Sequence, residues 1–595
     1  MASTGMGSLH QRAIAAFQRG ESEEAVDLLR MAIELDPESA VAANDLGSIL
    51  AQMGRTTEAI PAFRRAIELV PEYPEAHNNL ANLYQMTGSL EEAVASYRTA
   101  LRLRPEYAEA YRNLASALRR LGKMEEATAA LAKAVSMNPG YIEAIAILVH
   151  QLRNLCDWRM IDDLTRQLIL SVEAGSGAVN PFVFLTLETT PRQQRQCAEQ
   201  WAQARRLAAS GAAAQVPVKR ERITVGYLSA DFQEHATARL ISELFELHDR
   251  GRFRIIGYSY GADDGSAARA RLRRSFDSFV DLEHVSHASA AARIRADTVD
   301  ILVDLKGYTT GARPEIMALR PAPIQVSYLG YPGTMGTRAI DYVLVDRFAV
   351  PPDQQEHFTE TLVHLPDCYQ VNDRRRPIAP AHSRAEYGLP ENGFVFCCFN
   401  SPHKITPVIF DIWMRLLEQV PGSVLWLLET YPAAMANLRR EAEARLKGGS
   451  ERLIFAPSVP NAEHLARFAT ADLFLDTLPY NAHTLTSDAL WGGCPVLTSA
   501  GETFASRVAG SILHAAGLPE LVTSNLKEYE AAALRLADDH AELEMLRARI
   551  QKSRTEAPLF DTPRFARAIE TAFEWMMQHA GRAPARVRER HPAPT

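Results

Sequence analysis

Cysteine is scarce. Only Cys156, Cys197, Cys368, Cys397, Cys398 and Cys494 occur in 595 residues. No two stand as Cys-x-x-Cys, which argues against a disulfide scaffold or a structural zinc site and fits a reducing compartment. No apolar run approaches the roughly 18 residues that a membrane-crossing helix needs. The start, Met1 to Ser8, lacks a charged-then-apolar signal layout, so the expected setting is cytoplasmic with no membrane partner. Basic residues are not in excess: 64 Lys and Arg against 72 Asp and Glu leave a formal charge of −8, which argues against holding nucleic acid by bulk charge. Gly-x-Gly-x-x-Gly and Walker-type phosphate loops are absent. So is an Asp-x-Asp pair to hold a metal against a diphosphate, and no metal is expected.

What is present is globular: 47% apolar and 23% charged residues. The length exceeds one hydrophobic core, and two to four domains are expected. The first quarter repeats. Proline falls at 37, 71, 105 and 139, and glycine at 20, 54, 88 and 122. Alanine falls at 25, 59, 93 and 127 and again at 32, 66, 100 and 134, and leucine at 46, 80, 114 and 148. Every gap is 34 residues, the tetratricopeptide period of two antiparallel helices per unit. The small alanines let helices approach, the glycines end the first helix of each pair where positive φ is favoured, and Pro71 and Pro105 stop one unit before the next. Such a solenoid offers a concave groove, read here as holding protein or peptide partners. Asn44, Asn78, Asn79 and Asn113 recur on first helices and are the candidates to grip an extended peptide. A spacer or a dimerisation arm is the alternative use of the array, and a homodimer stays open.

The repeats are expected over 1–150, a helical connector and linker over 151–220, and the main boundary in the small, proline-bearing stretch 211–218. Beyond it β-rich runs at 223–229, 254–260, 300–305, 324–329 and 342–345 alternate with helical segments. After a proline-bearing joint near 377–380 they resume at 395–400, 423–428, 453–456, 473–476 and 496–498. The pattern predicts parallel sheets covered by helices: two Rossmann-like lobes, 221–380 and 381–578, with a cleft between them, and a flexible tail over 579–595. Ligands of such sheets sit at the C-terminal strand ends.

Two strand-to-helix loops of the second lobe suit phosphate. In the first, Thr406 is a natural N-cap and Pro407 a natural first helical residue, so Lys404 stands beside a helix N-terminus, where a full positive charge adds to the helix dipole. In the second, His483, Thr484 and Thr486 gather at a helix start whose hydroxyls and free N–H groups would cradle a pyrophosphate. Asp488, one turn in, would accept from a ribose hydroxyl.

In the first lobe the blocks 225–232 (VGYLSADF) with His235 close behind, 307–313, 319–325 and 329–334 resemble the O-linked N-acetylglucosamine transferases. In the second lobe the Lys404 loop, 423–428, the His464/Arg467 pair, His483-Thr484, Asp488 and 501–508 are similar to the same family. That family joins tetratricopeptide repeats to a GT-B transferase of two Rossmann-like domains, and SPINDLY-type O-fucosyltransferases share part of these blocks. The resemblance implies an inverting, metal-independent protein O-glycosyltransferase that moves GlcNAc from UDP-GlcNAc to Ser or Thr hydroxyls, with GDP-fucose as the alternative donor and a scaffold without turnover as the alternative state. By resemblance Lys404 neutralises the leaving diphosphate and His235 is one candidate for the general base. His483 and Thr484 belong to the phosphate loop, Asp488 to the ribose, His464 and Arg467 to the base, and Gly330 and Pro332 to the loop near the sugar. Three positions depart from the family pattern: Ser401 for a phosphate-side glutamine, Asn461 for a ribose-side lysine, and Leu485 for a second threonine.

Overall fold

The computed structural model describes residues 2–208 and 220–580. The boundary expected at 211–218 and nearly all of the expected tail lie outside the described residues. The chain forms two compact units, Met1–Gln151 and Leu152–Thr595.

The first unit is a run of paired antiparallel helices, among them Ala40–Gln52, Thr56–Leu69, Pro74–Thr87 and Leu90–Leu103. Both alanine columns, Ala25 through Ala127 and Ala32 through Ala134, are 0% exposed. Gly20, Gly54, Gly88 and Gly122 have φ of 86°, 77°, 88° and 74°, the left-handed conformation that ends the first helix of each pair at little steric cost to glycine.

The second unit holds two parallel sheets. In the first, β1 (Ile223–Ser229), β2 (Phe253–Ser259), β3 (Ser278–Asp281), β4 (Ile301–Asp304), β5 (Ile324–Ser327), β6 (Tyr342–Asp346) and β7 (Thr361–Leu365) lie in the order β3-β2-β1-β4-β5-β6-β7. In the second, β8 (Val395–Cys398), β9 (Val424–Leu428), β10 (Leu453–Ala456), β11 (Leu473–Leu475), β12 (Val496–Ser499) and β13 (Val522–Thr523) lie in the order β10-β9-β8-β11-β12-β13. Repeat helices followed by parallel-sheet α/β lobes are the architecture read from the sequence. The central strands are buried apolar runs, as strands covered on both faces must be; Cys397 and Cys398 are core thiols of β8. The strands not expected are β3, β7 and β13, all at sheet edges; β3 is largely half-exposed and β13 has two residues, so both carry little apolar signal.

Two boundaries differ from expectation. The connector helices Ile161–Ala174 and Pro191–Ala204 belong to the second unit, because Ala198, Ala202 and Leu207 share a core with Leu228, Ile256 and Tyr258. The last helix, Thr562–His579, follows the second lobe in chain order yet docks on the first. Its buried Glu570 accepts from the Asp249 N–H at 2.8 Å, and Thr562 donates to Glu243 at 2.8 Å. His579, expected in the tail, is its final helical residue. Among the described residues no helix is long and apolar enough to cross a membrane.

Candidate active site

The C-terminal edges of the two sheets frame a cavity of about 280 Å³. His235, Thr237 and Leu240 enter from the helix Ala236–Leu247 after β1, and Leu329 and Gly330 from the loop after β5. Tyr369 and Gln370 come from the crossing segment, the stretch 366–380 that leads from β7 of the first sheet toward the second. Asn400, Lys404, Tyr480, His483, Thr484 and Leu485 come from the second lobe.

Lys404 closes a short 3-10 turn ahead of the helix Pro407–Gln419, whose N-cap Thr406 accepts from the Ile409 N–H at 3.3 Å. The ammonium donates to the Asn481 carbonyl at 2.7 Å and lies 4.2 Å from the Tyr480 ring centroid. Enclosure lowers its pKa to about 8, with the Asp476 carboxylate pulling the other way. Asp476 is itself pushed up to about 6 by burial, against hydrogen bonds from Thr498, Ala482 and Thr477. The loop is pinned from behind: Arg153 Nε donates to the His403 carbonyl at 3.0 Å. That residue is 250 positions away in sequence and was not anticipated.

His483 stands just before the helix Thr484–Gly492. Its ring stacks on Tyr480 at 4.8 Å, and Nε2 meets the Ala505 carbonyl at 3.1 Å, so Nε2 carries the proton. Burial, with Lys404 adding, keeps its pKa well below the imidazole range and the ring neutral. The positive field at this loop therefore comes from Lys404 and from the Thr484 and Leu485 N–H groups at the helix start, which have no acceptor inside a helix, whereas the Thr486 N–H bonds the His483 carbonyl at 3.1 Å. The Thr486 hydroxyl is not part of it. It is buried and donates to Ala482 O at 2.8 Å. Leu485 puts an apolar side chain where a hydroxyl was the family expectation.

His235 is the N-cap of the helix Ala236–Leu247, and its Nδ1 accepts from the Thr237 N–H at 3.2 Å. Burial lowers its pKa, while Asp231 opposes that shift. Gly330 sits where a Cβ would lie 1.9 Å from the Leu305 carbonyl oxygen, so the loop after β5 can approach β4 only with glycine there. Its neighbour Leu329 has φ 68°, a conformation that costs a bulky residue on the order of 1–3 kcal/mol and occurs most often at functional sites.

The other expected residues are placed apart from the cavity wall. Asp488 is buried, and its carboxylate is held by the buried guanidinium of Arg376 from the crossing segment. His464 and Arg467 bond each other; Arg467 donates to Pro457 O at 2.8 Å and lies 4.4 Å over Phe399. The His464 pKa falls to about 3, from burial first and the Arg467 cation second. Ser401 is exposed and Pro332 buried, and neither lines the cavity. In the repeat unit Asn44, Asn78 and Asn113 are buried, which corrects the expectation of groove-facing amides. Asn79 donates to Asn44 at 3.0 Å and Asn113 to Asn78 at 3.2 Å, bonds that join neighbouring repeats, and only Asn79 of the four is partly exposed.

Comparison with known proteins follows the same division. Glycosyl transferase family 41 matches residues 189–381 and 377–569, and tetratricopeptide repeat families match 47–88, 87–122 and 108–141. A relative from Arabidopsis thaliana, a probable UDP-N-acetylglucosamine–peptide N-acetylglucosaminyltransferase SEC, is 39% identical over 383 residues, 62% of this chain and 39% of its own. A UDP-N-acetylglucosamine–peptide N-acetylglucosaminyltransferase from Caenorhabditis elegans is 30% identical over 463 residues, 59% of this chain and 40% of its own. The chain thus spans about two fifths of the length of these curated relatives. A solved structure of a mutant O-GlcNAc transferase from Thermobaculum terrenum superposes with a TM-score of 0.67 at 29% identity, over 91% of this chain and 98% of that one.

Proposed function

Because the chain belongs to glycosyl transferase family 41, we propose that it is an inverting protein O-glycosyltransferase that moves GlcNAc from UDP-GlcNAc to Ser or Thr hydroxyls of acceptors bound by the repeats. The observation that carries this reading is the convergence of Lys404 and the Thr484 helix start in one cavity, opposite His235. The acceptor hydroxyl attacks the anomeric carbon and gives up its proton to water, while the bond from that carbon to the diphosphate breaks and the nucleoside diphosphate leaves from the opposite face. Negative charge grows on the diphosphate, so cations and N–H groups placed there beforehand lower the barrier most. Lys404 and the first-turn N–H groups fill that role, and no metal is required of the reading. His235 serves as a hydrogen-bond donor to the reacting groups. Its Nδ1 lone pair is taken by the Thr237 N–H, so the neutral ring turns a protonated Nε2 away from the cap and has no free lone pair for a general base. Asp488, His464 and Arg467 are assigned to ribose and base on family resemblance. Asn79 is the groove amide with exposure left to meet a peptide.

GDP-fucose is the competing donor. Leu485, Ser401 and Asn461 keep it open, since each replaces a residue of the family's donor-side pattern. Thermal shifts of the full chain with UDP, UDP-GlcNAc and GDP-fucose separate the readings, because a ligand that binds only the native state stabilises it by about 2.7 kcal/mol at a hundredfold excess over Kd. A raised midpoint with UDP and UDP-GlcNAc, together with transfer of label to protein, is expected. A shift with GDP-fucose alone overturns the donor, and UDP binding without transfer to any protein leaves only a scaffold.

A further inference from the structure

Adjacent strands β1 and β4 end side by side, with Leu228 paired to Asp304. Two residues beyond each strand stand Asp231 and Lys306. The Lys306 ammonium lies 2.9 and 3.0 Å from the two carboxylate oxygens of Asp231, and the side chains are 6% and 7% exposed. Asp304 fixes the Lys306 end of the pair by accepting the Lys306 and Gly307 N–H groups at 3.0 Å each. His235 stands at the rim of this pair. Its Nδ1 is 3.4 Å from Asp231 Oδ2, yet it accepts from the Thr237 N–H at 3.2 Å.

We propose that Lys306 is a positioning residue for His235. Paired with both oxygens of Asp231, one of which also accepts from the Thr237 hydroxyl at 3.5 Å, it weakens that carboxylate as an acceptor for an Nδ1–H, so the ring caps its helix and presents Nε2–H to the cavity. A carboxylate beside an imidazole ordinarily claims Nδ1–H, which turns Nε2 into a lone pair and raises proton affinity. The histidine here has such a carboxylate beside it and does not use it, and the lysine between β1 and β4 is the group that holds it back. The charged groups facing the ring are Asp231, Lys306 and Arg239, with Lys404 on the opposite wall of the cavity. Of these only Asp231 favours the imidazolium, and it is the one that Lys306 neutralises.

This assignment rests on the proposed role of His235 as a donor, but its test does not need sugar transfer. Long-range 1H–15N spectra of the full chain labelled with 15N-histidine read tautomer and pKa directly, and His235→Gln identifies the signal by its loss. The wild-type ring is expected as the Nε2–H tautomer, titrating below the ordinary value of about 6.5. Lys306→Met should move it to Nδ1–H or imidazolium and raise its pKa by at least one unit, a tenfold gain in proton affinity. Lys306→Met/Asp231→Asn, which leaves no buried charge of the pair, should fold and return both readouts to wild type. An Nδ1–H wild-type ring overturns the proposal. So does a folded Lys306→Met chain with unchanged tautomer and pKa, or a folded double variant that fails to restore them. If the single variant does not fold, the wild-type tautomer and the double variant decide. Absence of transferase activity would refute the proposed function and leave these spectra to be judged on their own.

Discussion

Lys404 carries two predictions. Replacing it with Ala removes the one full cation that the cavity offers to a leaving diphosphate among the candidate residues. Turnover should fall by about 10²–10³ or more, while the thermal midpoint, a readout of fold, stays close to wild type. Near-native initial rates would refute the assignment. Its pKa of about 8 sets the pH behaviour. The ammonium is charged below that value and loses charge as pH rises through it, so kcat/KM, which reports the free enzyme, should decline above about pH 8 toward tenfold per unit. A bound diphosphate favours the charged lysine, so kcat should hold to higher pH. A flat kcat/KM between pH 7 and 9.5 would exclude Lys404 from the role. The position of Lys404 was legible because strand end, N-cap and first-turn proline are local signals. The proton position on His235 was not, because it depends on Thr237, Asp231 and Lys306 meeting in space.

Among the elements, the crossing segment is the one the sequence marked only as a joint. Gln370 donates to Ser487 at 3.0 Å, Arg374 to Glu243 at 2.7 Å, and Arg376 pairs with Asp488. A single extended stretch thereby ties the helix after β1 to the helix after β11. Arg376→Met would leave the buried Asp488 carboxylate without its cation, a loss of roughly 3–5 kcal/mol, visible as a large drop in denaturation midpoint. Arg376→Met/Asp488→Asn should recover most of it. A midpoint unchanged in the single variant would mean that the pair does not hold the segment. No local pattern announces such a pair, since its members lie 112 positions apart.

At the scale of the whole molecule, the chain returns to the first lobe after building the second. The helix Thr562–His579 buries Ile569, Phe573 and Met576 and places Glu570 on His248 and Asp249. At about 1.5–3 kcal/mol for each large apolar side chain, its loss rivals the roughly 5–15 kcal/mol by which a domain is usually stable. Ending the chain at Asp561 should therefore unfold or loosen the first lobe, seen as protease cleavage within residues 223–365. Resistance equal to that of the full chain would show that the helix is dispensable. The repeat unit behaves differently: each of its helices packs on sequence neighbours, so its period, its alanine core and its glycine turns could all be read in advance.

The division between what was legible and what was not follows the range of the forces. The sequence by itself determined the repeats, the alternation of strand and helix, the parallel sheets and the two strand-to-helix loops that carry Lys404 and His483, because periodicity, capping and chain stiffness act within a few residues. Tertiary structure decided the charge state and orientation of the side chains in those loops. It put Arg153 behind Lys404, Arg376 on Asp488 and Lys306 on the Asp231 carboxylate beside His235, and it buried the repeat asparagines against one another. Those outcomes depend on desolvation and on partners brought together from distant positions, and no stretch of residues read in order contains either.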